Sequence, residues 1–191
     1  KTARDTSGST ITTSSTTASA DLVEIDLLSV YTPQARDAAG GNAQMDTLIQ
    51  AAVDAANTAF INSQINTHYN LVATAEVAYN DSGNIGNDLS WVQSNSGVAS
   101  LRNQYSADMV SLVVQNGAGY CGMGYVMRSV SSSFASSAFQ VTAKDCAVGN
   151  LSFAHEHGHN LGMEHDPANG SSPSSASYSW SFGHFENGVF R

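Results

Sequence analysis

Basic residues are scarce in this 191-residue chain, which has seven Lys and Arg against sixteen Asp and Glu and a formal net charge of -9. Proteins that bind nucleic acid or anionic membranes rely on clustered Lys and Arg side chains. The sequence therefore argues against both kinds of partner. The excess of acidic residues instead suits an extracellular protein, because net charge keeps a protein soluble. It also leaves carboxylates available to bind calcium.

Long apolar runs are also lacking. No stretch reaches the roughly 20 residues that span a membrane, and no signal peptide opens the chain, so a secreted enzyme would be represented here in a processed form. With 41% hydrophobic residues, the chain is ample for one core and small for two, which predicts a single domain. Residues 1–20 contain a Ser/Thr run without apolar periodicity and are interpreted as a flexible arm or a propeptide remnant.

Cysteine is limited to one pair, Cys121 and Cys146. An even pair fits one disulfide that closes a loop of about 25 residues and contributes roughly 3 kcal/mol under the chain-entropy model. Such a bond would indicate an oxidising compartment. A free redox pair is the alternative, and zinc ligation by the thiols is disfavoured because histidines already complete a metal site.

Those histidines lie near the C-terminal end. On a helix, His155 and His159 project from one face about one turn, roughly 5.4 Å, apart, so both imidazoles can meet one ion. Glu156 is rotated by about 100° from His155, which keeps it off the metal but near the side where water would sit. His165 can join only if the helix stops first, and Gly162 supplies the left-handed residue that ends it.

Three imidazoles with no fourth protein ligand are the open arrangement of catalytic zinc, in contrast to the closed sites of structural zinc. Zinc lowers the pKa of a bound water towards about 7, and Glu156 is placed to take the proton of that water as a general base. The sequence therefore predicts a zinc site that hydrolyses peptide bonds.

The apolar pattern predicts alternating strands and helices. The expected order is a strand at 22–31, a helix at 43–63, a strand at 71–79, a helix between 88 and 104, a strand at 109–114, a glycine-flanked edge strand at 125–127, a strand at 138–143 and the metal-bearing helix at 150–161. This order is typical of an α/β sandwich around a mixed, twisted sheet.

The stretch from His155 to Asp166 resembles the metzincin metalloproteases, whose motif is His-Glu-x-x-His-x-x-Gly-x-x-His. The residues Asn160-Leu161-Gly162-Met163 and the closing His165-Asp166 are similar to the reprolysin or adamalysin branch. Segments 25–33, 108–113 and 119–125 are similar to bacterial secreted peptidyl-Asp metalloendopeptidases. The resemblance covers roughly residues 21–191.

The resemblance implies a metzincin-like fold with a five-stranded sheet and a zinc-binding active-site helix. It implies a secreted, bacterial-type endopeptidase that acts on protein or peptide substrates and cleaves on the N-terminal side of Asp. Arg128, Lys144 or Arg191 would then line the receiving pocket. It also suggests calcium ligands at Glu24 and Asp26, where a solvated strand face is the alternative. We expect a monomer.

Two features depart from the family pattern. His157 stands where an apolar residue is usual; we interpret it as a core histidine, with a role in pH sensitivity as the alternative. No methionine follows Met163, so residues 21–191 are interpreted as a catalytic domain shortened before the methionine-containing turn of the family. The competing function is a catalytically silent zinc-binding domain for adhesion or partner binding.

Asp166 is expected to orient His165 or to bond the backbone after the turn, rather than only to form a turn.

Overall fold

A computed structural model describes residues 22–169, 174–183, 185–186 and 189–190. The predicted arm at residues 1–20 and the cation Arg191 lie outside the described residues. Within the described part of the chain, no helix is both long enough and apolar enough to cross a membrane.

Five strands form the central sheet: β1 Val23–Tyr31, β2 Thr67–Glu76, β3 Met109–Val114, β4 Gly122–Gly124 and β5 Phe139–Ala143. Their order across the sheet is β2-β1-β3-β5-β4. The first four in this order pair in parallel, and the edge strand β4 runs antiparallel to β5. The predicted α/β fold with a mixed five-stranded sheet is confirmed.

Five helices cover the two faces of this sheet: α1 Pro33–Ala39, α2 Asn42–Asn62, α3 Ile85–Ser94, α4 Ser96–Gln104 and α5 Ser152–Asn160. Neighbouring residues of β1 belong to separate core clusters on the two faces of the sheet, because successive side chains of a strand point to opposite faces. Leu27 packs with Phe60 of α2 and Phe153 of α5, whereas Leu28 packs with Val92 of α3 on the other face. Each such buried side chain contributes about 1.5–3 kcal/mol.

The predicted single helix between 88 and 104 is wrong, because the chain forms α3 and α4 with a break at Asn95. Asn95 has an extended backbone, with φ -75° and ψ 123°, and its side chain accepts a hydrogen bond from the Val98 N–H at 3.0 Å. An asparagine whose side chain satisfies a free N–H at the start of a helix favours a new helix over continuation of the old one. The apolar spacing of 88–104 does not reveal this change.

Helix α1 was absent from the predicted pattern and is defined by local capping. Thr32 accepts a hydrogen bond from the Ala35 N–H at 3.1 Å, and Pro33 occupies the first turn, where its missing N–H has no intrahelical partner to lose. Gly40 ends the helix with φ 101°. Seven residues are too few for a recognisable apolar stripe, so capping residues were the available indication.

The edge strand lies three residues earlier than predicted, at Gly122–Gly124 instead of 125–127. Just after β4, the Tyr125 N–H still donates to the Phe139 carbonyl of β5 at 3.3 Å. Two residues later the chain bonds to the end of α5 instead of the sheet, because the Met127 N–H donates to the His159 carbonyl at 3.0 Å.

Candidate metal centre

The end of α5 reverses the chain and returns His165 to the helix. Gly162 has φ 88°, its N–H donates to the His159 carbonyl at 2.9 Å, and the Met163 N–H donates to the Gly158 carbonyl at 2.9 Å. These two bonds are those of a Schellman turn, in which a left-handed residue follows the helix. The reversal accounts for the position of a third histidine six residues after the second.

Glu164 holds the returning segment in place. Its N–H donates to the Ser181 carbonyl at 2.9 Å and its carbonyl accepts from the Gly183 N–H at 3.0 Å. Its buried carboxylate forms an ion pair with Arg128, which also donates to the Ser175 carbonyl at 2.9 Å. Main-chain and side-chain bonds on Glu164 thus fix the residue next to His165.

Replacing Gly162 with alanine should lower the free energy of unfolding by more than 1 kcal/mol. A left-handed backbone costs a residue with a side chain about 1–2 kcal/mol. A Cβ here would also collide with Ser177 Oγ and lie 3.0 Å from the Met127 carbonyl oxygen. Urea denaturation of the zinc-free protein measures the change. Gly149→Ala is the matched control, because nothing lies within 4 Å of a Cβ built there. Equal losses in both variants would contradict this prediction.

Three imidazole nitrogens converge at the centre of the site. His165 Nε2 lies 3.0 Å from His155 Nε2 and 3.1 Å from His159 Nε2, and one nitrogen from each ring lies within 4.8 Å of the others. Zinc–nitrogen bonds of about 2.0–2.1 Å in a tetrahedral site place ligand nitrogens about 3.3 Å apart. The spacing of these rings therefore fits one zinc ion.

The tautomer of His159 also fits a metal ligand. His159 Nδ1 lies 2.7 Å from the Met163 carbonyl oxygen. A carbonyl only accepts hydrogen bonds, so Nδ1 must carry the proton and Nε2 keeps its lone pair. The same turn that returns His165 thereby orients the ring of His159.

The electrostatics of the cluster favour neutral rings. Burial, followed by the neighbouring imidazoles, lowers the pKa of His155 to about 4. Burial also lowers the pKa of His159, and its hydrogen bond to Met163 partly offsets the shift. Because only the neutral imidazole offers a lone pair, both rings are in the ligand form at neutral pH.

Glu156 lies on the side of α5 that faces β4. It is buried, and burial raises the pKa of its carboxyl to about 7, while a backbone hydrogen bond from Gly124 opposes the rise. A carboxyl group with a pKa near neutrality can both accept and return a proton at physiological pH.

His157 is completely buried, as expected for a core histidine. Its ring packs against Phe153 and Tyr69, with centroids 4.7 and 5.5 Å away, and its Nε2 lies 3.4 Å from Gln140 Nε2. Burial lowers the pKa of His157 to about 3, so the ring is neutral. This side chain attaches α5 to β5 instead of contacting solvent.

Asn160 has a structural role that the sequence did not predict. Its side-chain amide donates to the Tyr125 carbonyl at 2.9 Å and to the Phe139 carbonyl at 3.1 Å. The first acceptor follows β4 and the second begins β5, so one buried amide joins α5 to both strands. A polar residue directly after the second histidine was the available indication, but its partners are distant in sequence.

Asp166 bonds residues two and three positions further along the chain, and no contact between its carboxylate and His165 is found among the described residues. Its Oδ1 accepts from the Ala168 N–H at 3.0 Å and its Oδ2 accepts from Asn169 Nδ2 at 2.6 Å. These hydrogen bonds lower the pKa of Asp166. The carboxylate thereby stabilises the turn that follows His165.

Arg128 and Lys144, two of the cations expected to line a substrate pocket, lie in different parts of the fold. Arg128 pairs with Glu164 beside the histidine turn, whereas Lys144 pairs with its neighbour Asp145. Arg191 lies outside the described residues. Of the two candidate pocket cations that the structure describes, Arg128 is the one that pairs with a residue of the histidine turn.

The suggested calcium ligands make other contacts. Asp26 Oδ1 accepts from Asn70 Nδ2 at 2.8 Å, and the Asp26 N–H donates to Asp108 Oδ2 at 2.9 Å. Glu24 is exposed on β1. Among the described residues, the potential metal-binding group is the histidine trio, and it includes neither Glu24 nor Asp26.

The predicted disulfide is present between Cys121 and Cys146, with Cα atoms 5.4 Å apart. Cys121 immediately precedes β4 and Cys146 follows β5, and the Ala143 N–H donates to the Cys121 carbonyl at 2.9 Å. The bond therefore fastens the edge strand beside Glu156.

Three converging imidazoles, two on a helix that packs against a mixed sheet and one just after the end of that helix, follow the pattern of a metallopeptidase of the α/β sandwich type. Residues 46–166 match the model of the Metallo-peptidase family M12B Reprolysin-like. The chain belongs to this reprolysin-like metallopeptidase family.

Curated relatives agree with this assignment. The chain is 36% identical over 165 residues to a peptidyl-Asp metalloendopeptidase of Xanthomonas campestris pv. campestris, and this alignment covers 84% of the chain and 37% of the relative. It is 32% identical over 186 residues to one of Pseudomonas aeruginosa, covering 87% and 31%. The chain thus spans about a third of the length of these relatives.

Solved structures support the fold alone. One chain, from "Structure of a chaperone-substrate complex", aligns with a TM-score of 0.67 at 20% identity, covering 85% of this chain and 32% of that chain.

Proposed function

We propose that residues 21–191 form the catalytic domain of a secreted zinc-dependent endopeptidase. His155, His159 and His165 would hold the zinc, with Glu156 as the general base. The observation that carries the proposal is the convergence of Nε2 atoms at 3.0 and 3.1 Å. Secretion is supported by the disulfide, since such bonds persist in oxidising compartments.

The residues around the proposed zinc site would have different roles in peptide hydrolysis. A bound zinc would polarise the scissile carbonyl and make water acidic enough to lose a proton. Glu156 would accept that proton on its carboxylate and then deliver it to the nitrogen of the departing amine. Gly162 places the third histidine through the helix-ending turn, and Asp166 stabilises the turn that follows it.

We further propose that substrates are proteins or peptides cleaved on the N-terminal side of Asp, as the names of the relatives suggest. An acidic side chain needs a cationic partner. Arg128 lies beside the histidine turn and contacts both Glu164 and Ser175 through its Nη1. Its guanidinium group has five N–H donors in all, on three nitrogens. We propose Arg128 as the group that receives the acidic side chain. The outer edge of β4, which pairs with no other strand among the described residues, would align the peptide backbone through main-chain hydrogen bonds.

The proposed function predicts proteolysis that depends on one zinc ion per chain. Purified protein should cleave casein, lose cleavage in a chelator and regain it with zinc. His159→Ala should lower both zinc content and cleavage, whereas His68→Ala, on β2, should leave both unchanged. In a matched pair of peptides, replacing Asp with Asn at the cleavage site should slow hydrolysis.

Two outcomes would contradict the proposal in different ways. Bound zinc at one ion per chain without any cleavage would favour a catalytically silent zinc-binding domain. Cleavage that survives complete removal of metal would exclude the histidine centre as the active site. Equal hydrolysis of the Asp and Asn peptides would remove only the proposed substrate preference.

A further inference from the structure

The glycines of β4 lie directly against Glu156. Gly122 pairs with Thr142 of β5 and Gly124 pairs with Gln140, so both backbones are fixed in the sheet. The disulfide at Cys121 fastens the residue immediately before Gly122. The strand therefore presents a rigid backbone surface to the carboxylate side of α5.

A side chain at position 122 would occupy the space of the glutamate. A Cβ built on Gly122 would lie 2.5 Å from Glu156 Cγ, 2.6 Å from its Oε1 and 2.8 Å from its Cδ. Carbon atoms in contact normally lie about 3.5–4.0 Å apart. All three of these nearest atoms belong to the Glu156 side chain, so that side chain would have to move.

Backbone conformation does not explain the glycine. The glycines with positive φ among the described residues are at positions 40, 41, 83, 119 and 162, and Gly122 is not one of them. Alanine can adopt the backbone of β4 without strain. The space taken by the Glu156 side chain is what position 122 must leave free.

The backbone of Glu156 is held close to the sheet. A Cβ on Gly124 would lie 2.7 Å from the Glu156 carbonyl oxygen, which shows how closely the strand meets the helix main chain. Asn160, one helical turn later, bonds the helix to the Tyr125 carbonyl just after β4 and to the Phe139 carbonyl of β5. A collision at position 122 would therefore turn the glutamate side chain and leave the helix in place.

We propose that Gly122 is a positioning residue for the reaction: its missing side chain lets β4 lie against Glu156 and fix the orientation of its carboxylate. This inference rests on the proposed role of Glu156 as base. A displacement of about 1 Å in a catalytic group is enough to cost about 100-fold in rate.

The first test compares Gly122→Ala with the matched control Gly149→Ala. Gly122→Ala should lower kcat by about 100-fold, with KM changed less than threefold and one zinc still bound per chain. Gly149→Ala should retain full kcat. Unchanged kcat in Gly122→Ala would overturn the proposal, and so would an equal loss in both variants.

The second test asks whether removal of the glutamate side chain relieves the collision. Glu156→Ala removes Cγ, Cδ and Oε1, the three atoms that a Cβ at position 122 would meet. In this background Gly122→Ala should lower the remaining kcat by less than threefold, compared with about 100-fold in the wild type. Equal factors in both backgrounds would show that Gly122 acts independently of Glu156 and would overturn the proposal.

The third test does not depend on activity. Crystal structures of the zinc-free wild type and Gly122→Ala should show the Glu156 carboxyl group displaced by more than 1 Å, with the histidine rings in place. If Gly122→Ala is unstable, the loss in melting temperature should vanish in the Glu156→Ala background, and a persistent loss would overturn the inference. Inactive wild-type protein would contradict the proposed function, while these readouts would still decide the role of Gly122.

Discussion

Replacing Glu156 with glutamine should lower kcat by about 10²–10⁴-fold and leave one zinc ion bound per chain. Glutamine preserves the shape of the side chain against β4, but its amide cannot accept and return a proton at neutral pH. The expected range is the usual contribution of a positioned general base. The metal ligands are separate side chains whose nitrogens meet one another, so their geometry does not depend on the carboxylate.

The measurement pairs kcat with metal analysis of the same purified samples. Glu24→Gln is the matched control, because it makes the same chemical change at an exposed position on β1. The control should retain full kcat and full zinc content. Undiminished cleavage by the Glu156 variant would exclude this residue as the base. Loss of zinc together with cleavage would instead assign Glu156 a role in assembling the centre.

Sequence spacing was sufficient to predict the convergence of the histidines. His155 and His159 share a helical face because four residues make about one turn, and this relation is local. Gly162 was predicted to end the helix because few other residues adopt a left-handed backbone, and its φ is 88°. A metal site whose residues all lie within a dozen consecutive positions can therefore be predicted without knowledge of the fold.

The environment of Glu156 was not predictable in the same way. Gly122 and Gly124 precede it by more than thirty positions, and only the pairing of β4 with β5 brings them against the carboxylate. In the sequence, the glycine-rich segment indicates a turn or an edge strand. The contact with α5 that explains these glycines arises only when the helix packs against the sheet.

Buried polar residues on α5 follow the same rule. His157 was predicted to be buried from its position on the helix, but its neighbours Tyr69 and Gln140 belong to other strands. Asn160 bonds one carbonyl just after β4 and one in β5 for the same reason. Such partners are selected by tertiary packing, because most buried polar groups bond to the donors and acceptors that the fold places against them.

Removing the disulfide should have the largest effect on stability. Replacing both cysteines with serine should lower the free energy of unfolding by about 3 kcal/mol, since the crosslink spans 25 residues and restricts the unfolded chain. Strand β4 has only three residues paired with β5, so the crosslink is a substantial part of its attachment. Urea denaturation of the zinc-free protein measures the change without the added stability of bound metal.

A phosphine reductant provides the matched control, because it opens the wild-type disulfide without changing the sequence. Reduced wild type should unfold at the same urea concentration as Cys121→Ser/Cys146→Ser, and the double variant should not respond to the reductant. Because Cys121 adjoins Gly122, loss of the bond should also loosen the strand against Glu156 and lower kcat while zinc stays bound. Equal stability of the oxidised wild type and the double variant would show that pairing with β5 alone holds the edge strand.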